Sequence, residues 1–103
     1  MSEKQKDKPL PSWLQLSDNG AVIRFKGKAT VCSVEVDQVI MRAPTIKDIR
    51  AAKKVAGDDE DSADDVLFAS LIGASQADVE GLQVVDYNRL QRAYFRLVQD
   101  DGL

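Results

Sequence analysis

MRAPTIKDI, residues 41–49, is where the chain changes its period. Upstream, apolar residues alternate as in a strand; downstream, they recur every three or four positions as in a helix. Pro44 has no N–H to give a ladder and pushes Ala43 into extended geometry, so pairing ends there. Thr45 is a good N-cap, its hydroxyl placed to accept from the N–H of Lys47 or Asp48. Asp48, three residues on, can reach back in a capping box and favours the positive end of the helix. Ile46, Ile49, Ala52 and Ala56 then make a narrow apolar stripe, with Lys47, Arg50, Lys53 and Lys54 largely outside it and Gly57 as the stop. The pattern predicts a helix over 45–56.

Back from this joint to Ser12, the period is close to two. Trp13–Leu16, Val22–Lys26, Val31–Val36 and Val39–Arg42 are β-branched or aromatic-rich runs, with turn chemistry at Asp18-Asn19-Gly20 and Lys26-Gly27-Lys28. Val34 and Val36 share one face, whereas Val39 and Met41 fall on the other, so a bulge or tight turn is expected at Asp37-Gln38. Cys32, within Thr-Val-Cys-Ser-Val, reads as a small buried strand residue. The sum is a small antiparallel sheet of three to four strands. Residues 1–11 are polar and lysine-rich, the composition of a disordered tail.

Forward of the joint, GDDEDSADD (residues 57–65) holds six acids in nine positions. Its spacing is not that of a calcium loop, and acids run consecutively through a turn do not make a general acid–base pair. It reads as a solvated linker, mobile around Gly57–Asp61. Ser62, with Asp65 three residues on, is the expected cap of a second helix over 63–72, which is apolar nearly all round. Such a helix is either central or offers a surface to something else. Gly73 closes it, Ser75 and Asp78 cap a short turn of helix at 76–81, and Asp86 is the expected cap of a last helix at 87–99. There Tyr87, Leu90, Tyr94, Leu97 and Val98 form one stripe, and Phe95 lies about 100° from Tyr94, outside its centre. The fold class is therefore α+β. A single domain over 12–103 has its sheet part at 12–42 and its helical part at 45–99.

At 103 residues, with 44% hydrophobic and 30% charged residues, the composition is that of one small globular domain. No apolar run reaches the eighteen or so residues of a membrane span. No apolar segment follows the N-terminal lysines as it would in a secretory signal. One cysteine makes no disulfide framework. The expectation is a soluble cytoplasmic protein. Its net charge of −3 divides unevenly, about +5 on residues 1–56 and about −8 on residues 57–103. A bipolar chain can self-associate or orient on a partner, and the acidic half argues against nucleic acid. There is no histidine, no glycine-rich phosphate loop, and no serine or cysteine with a base at motif spacing. No catalytic, cofactor or metal site is expected.

The order of these phrases resembles the tail assembly chaperone family of Mu-like and related tailed phages. Its strand-to-helix phrase is matched by Val39, Met41, Arg42, Pro44, Thr45 and Asp48. Its second phrase is matched by Leu71, Gly73, Ser75, Asp78, Val79, Leu82, Asp86, Tyr87 and Leu90, so the likeness spans about residues 31–98. Val and Met stand where leucine is more usual, and the segment through Trp13 is longer than the family phrase. The resemblance implies a non-enzymatic protein of the bacterial host cytoplasm, not retained in the mature virion. It would bind the tape measure protein, keep it soluble and help recruit tail tube subunits. A frameshifted longer form of the same chain is a further implied partner, and a homo-oligomer is open to a bipolar chain; no nucleic acid or membrane is implied. Phe68, Leu71 and Phe95 are the candidate partner-binding residues, with core packing the competing reading for each. The alternative function is DNA binding through helices 45–56 and 63–72 as a helix-turn-helix, against which the long acidic connection counts.

Overall fold

The computed structural model describes residues 10–99. Strand β1 (Leu14–Ser17) turns through Asp18-Asn19 into β2 (Gly20–Val31), and β2 turns through Cys32-Ser33 into β3 (Val34–Arg42). The three strands form an antiparallel sheet in the order β1-β2-β3. Four helices follow: α1 (Ile46–Ala56), α2 (Glu60–Ile72), α3 (Gln76–Glu80) and α4 (Val84–Val98). The fold is α+β. Among the described residues, no helix is long and apolar enough to cross a membrane. The expected tail at 1–11 lies outside the described residues up to residue 9. Leu10, beyond it, packs against the core.

Two turns differ from the sequence reading. Lys26-Gly27-Lys28 is not a turn but part of an irregularity inside β2. Pairing runs to Arg24↔Gln38 and resumes at Ala29↔Val36, so Phe25–Lys28 stand opposite Asp37 alone. The parity slip noticed in β3 is therefore real, but the extra residues that absorb it sit on the neighbouring strand. The hairpin turn falls instead at Cys32 and Ser33, with φ of 52° and 67°, the positive φ pair that a tight two-residue hairpin requires. Cys32 is accordingly exposed in a turn rather than buried in a strand.

Leu14, Ala21, Ile23, Phe25, Val39 and Met41 of the sheet share the core with Leu67, Phe68 and Leu71 of α2 and Leu90 and Ala93 of α4. Helix α2 lies against β3 and α4 against β2, while α1 packs on α2. Phe68 is the hub, its ring 5.7 Å from that of Tyr87 and 5.5 Å from that of Tyr94. Ile40, at 66% exposure, marks the opposite, uncovered side of the sheet.

The capping box at the joint is present. Thr45 Oγ1 accepts from the Asp48 N–H, and Asp48 Oδ2 accepts from the Thr45 N–H at 2.8 Å. Thr45→Ala removes one half of that exchange and is expected to cost about 1 kcal/mol, with Thr45→Ser nearly silent. Equal urea midpoints for wild type and the alanine variant would sink the assignment. Helix α2 begins a turn earlier than expected and is capped by Asp59, not Ser62. Asp59 Oδ1 accepts from the N–H groups of Asp61 and Ser62, and the Ser62 hydroxyl donates to Asp59 Oδ2. From Glu60 on, the acidic run is thus helix, leaving a three-residue connection between α1 and α2. Helix α4 also starts earlier, at Val84, with Gln83 as an N-cap that makes no side-chain bond. Asp86, expected to cap it, lies inside its first turn.

Candidate functional site

Three helices carry an aspartate three residues after the N-cap, and each such carboxylate also reaches the sheet. Asp48 in α1 takes a two-pronged hydrogen bond from the Arg42 guanidinium at the end of β3, at 2.7 and 2.8 Å. Arg42 Nη2 lies 3.4 Å from Ser70 Oγ, which it reaches as donor, so α2 joins the same corner. Asp78 in α3 shares a capping box with Ser75 and also accepts from the Cys32 N–H at 3.0 Å. Asp86 in α4 is fully buried, and its Oδ1 accepts from the Lys26 N–H at 2.7 Å, inside the β2 irregularity. Asp48 and Asp78 also accept from the N–H of their own N-cap residue, whereas Asp86 Oδ2 is buried without a hydrogen-bond partner among the described residues. All three tie a helix start to one place on the sheet.

The cause of the titration behaviour follows from these contacts. The Arg42 guanidinium, and then the Thr45 N–H, hold the Asp48 carboxyl well below the usual aspartate range. The Cys32 and Ser75 N–H groups lower Asp78, and Ser62, through hydroxyl and N–H, lowers Asp59. A carboxyl lowered on folding contributes stability that is complete above its unfolded value, near 3.8, and is lost as pH falls through the folded value. Asp64 has the opposite sign: burial and then Asp65, Asp61 and Glu60 raise it, so its share is lost as pH rises. Stability is expected to fall below about pH 4, with a shallower acid limb in Asp48→Asn. Chemical denaturation between about pH 5 and pH 2 measures it, and identical limbs would show that Asp48 is not coupled to folding.

The Asp86 contact ties the start of α4 to β2, and the helix turns Leu90 and Ala93 fully into the core and leaves Phe95 66% exposed. Phe68 and Leu71, the other two candidate partner residues, are 3% and 2% exposed. They are core residues, because α2 sits centrally between β3, α1 and α3 and spends its apolar circumference on them. Of the three, Phe95 alone presents surface. Beside it lies Trp13, with the guanidinium carbons of Arg89 and Arg92 at 5.1 and 5.4 Å from its ring centroid. Arg89 also donates to the Arg24 carbonyl at 2.7 Å, and the Arg24 N–H donates to the Trp13 carbonyl at 2.8 Å. Leu10, Pro11 and Arg96 complete the rim around Phe95. The arrangement offers apolar contact and guanidinium donors. Among the described residues, no group of three His, Cys, Asp or Glu is placed to hold a metal ion.

A family profile described as "Phage tail assembly chaperone proteins, E, or 41 or 14" matches residues 25–99. The chain belongs to this family. No curated protein and no solved structure matched it. The matched span runs from Phe25 through β3 and all four helices, so it takes in the three aspartate clasps and the outer face of α4. Trp13 and β1 lie before it. For a tail assembly chaperone the helix-turn-helix alternative has lost its original objection, since the α1–α2 connection is short. It fails on charge instead: Asp59, Glu60, Asp61, Asp64 and Asp65 crowd the start of the helix that would have to meet phosphate. Trp13, Arg89 and Arg92 were missed as site residues. The signal for the two arginines is that all three cations of residues 57–103 lie on α4, at 89, 92 and 96; nothing in the sequence places Trp13 beside them.

Proposed function

We propose that this tail assembly chaperone binds the tape measure protein through the exposed face of α4, keeps it soluble and helps bring tail tube subunits to it. It acts without catalysis, in the cytoplasm of the bacterial host, and is not kept in the mature virion. A frameshifted longer form of the chain and a homo-oligomer are its other proposed protein associations. The observation that carries the reading is the apolar surface left over once the core is filled. Phe95 stands out of the fold beside Trp13, while the remaining aromatics of α4 are used inward. A tape measure protein is long and largely helical, and its apolar stripes need cover until the tail forms. A helix laid in a groove is the mode that suits such a segment.

Co-expression with the tape measure protein of the same phage tests it. The tape measure protein is expected in the soluble fraction and in the eluate of the tagged chaperone. Because burial of apolar area at roughly 25 cal/mol per Å² drives association, the complex should survive moderate salt. A tape measure protein that stays insoluble whether or not the chain is present would remove the reading's main support.

A further inference from the structure

The outer face of α4 is specific in its charge as well as apolar. Val85, Arg89, Arg92 and Arg96 follow one another at helical spacing, with Phe95 beside them and the Trp13 ring along one side. The stripe from 85 to 96 is about 16 Å long, or three helical turns. Among the described residues the one ion pair is that of Arg42 with Asp48, and no described carboxylate lies within ion-pair distance of Arg89, Arg92 or Arg96. The Arg96 Nε is buried with no hydrogen-bond partner there. The groove lining around Phe95 is otherwise neutral: Asn88 and Gln91 on α4, and Leu10, Pro11 and Leu14 from the N-terminal side.

We propose that this groove seats an amphipathic helix whose apolar stripe is flanked by Asp or Glu. Phe95 and Trp13 would take the stripe, and the three guanidinia would take the flanking carboxylates, for which a planar fork of donors is suited. The length of the stripe along α4 favours a helix over a compact loop, and three arginines with no described carboxylate beside them favour a partner of negative charge. The same cations beside two aromatics could meet a nucleic acid strand, but the −8 carried by residues 57–103 opposes it. The proposal rests on the chaperone reading for the partner's identity, and on the face alone for the partner's chemistry.

The test uses the full chain and two labelled peptides of about twenty residues, long enough to hold a helix. Both carry the same leucine stripe, flanked in one by glutamates and in the other by lysines. Anisotropy titrations should show the glutamate peptide binding roughly tenfold tighter, as a few rim charge pairs would produce. Arg92→Glu should erase or invert that preference, Arg92→Gln should reduce it, and Phe95→Ser should weaken both peptides. Melting curves of the variants establish that they fold. Equal affinity for the two peptides overturns the proposal, as does a preference that survives Arg92→Glu and Arg92→Gln. Displacement of the glutamate peptide by a short single-stranded oligonucleotide would assign the face to nucleic acid instead. A dimer in sedimentation that Arg92→Glu dissolves would assign it to a second copy. Co-expression separates this inference from the reading beneath it. A tape measure protein held equally well by wild type and Arg92→Glu overturns the face and leaves the chaperone reading standing. Selective peptide binding without any tape measure complex does the reverse.

Discussion

Leu90→Asp is expected to abolish cooperative folding, whereas Phe95→Asp should leave a folded protein that no longer binds its proposed partner. The two positions are five residues apart on one helix and point in opposite directions. Leu90 is completely buried, in the layer between α4 and the sheet that includes Ile23 and Met41. Removing its side chain alone costs about 2–5 kcal/mol, and placing an uncompensated carboxylate there adds a larger desolvation cost. A domain of this size has on the order of 5–15 kcal/mol in total, so little or nothing remains. Phe95 is 66% exposed, and its replacement should shift stability by no more than about 1 kcal/mol. A carboxylate at 95 would lie beside Arg92 and Arg96, which further spares the fold. Far-UV circular dichroism with urea titration separates the outcomes. If Phe95→Asp unfolds as badly as Leu90→Asp, Phe95 is a core residue and the face on α4 does not exist.

Gly20→Ala should be nearly as damaging, for a reason invisible to side-chain packing. A Cβ at position 20 would overlap the Met41 carbonyl oxygen and stand 3.0 Å from Arg42 Cα. Both obstacles are backbone, so neither can swing aside. Gly20 pairs with Arg42 across the sheet, and next to that pair the Ala43 N–H donates to the Asn19 carbonyl at 2.9 Å. Relief would have to open the sheet at the joint where β3 hands over to α1. The expected loss is about 3 kcal/mol, the upper end for overpacking, or a fall of roughly 15 °C in Tm. Gly27→Ala is the internal control, since a Cβ there meets the Gln83 side chain at an ordinary 3.5 Å. Thermal scans showing the same Tm for Gly20→Ala and Gly27→Ala would refute the close-approach argument.

What the sequence disclosed was whatever its neighbours in the chain decide. Thr45 with Asp48 and Ser75 with Asp78 are capping boxes closed within four residues, and both read correctly. The joint at Pro44 is equally local. Errors arose where a distant contact outweighed the local signal. Asp86 resembles a cap, yet the Lys26 N–H, sixty residues away, holds it inside the first turn of α4. Gly27 between two lysines imitates a turn, while Cys32 and Ser33 make the actual one without glycine or asparagine to announce it. Asp59 was passed over as a cap because it stood in a run of acids that all looked alike. For the site, a helix apolar all round such as α2 cannot reveal from its pattern which residues are surplus, so Phe68 and Leu71 were misplaced. Phe95 could be singled out because α4 is amphipathic and Phe95 lies off its stripe. Trp13 gave no hint of its neighbours, since its contacts with Arg89 and Arg92 cross more than seventy positions.

Trp13 is the single tryptophan of the chain, and its half-buried ring rests on the helix face that a partner would cover. The molecule therefore carries its own optical gauge, readable without any label. Unfolding strips the indole of its two guanidinium neighbours and hands it to water, moving its emission to longer wavelength. A helix seated against Phe95 would dry the same ring and move its emission the other way. Loss of the fold and gain of a partner are thus opposite displacements of one spectral band.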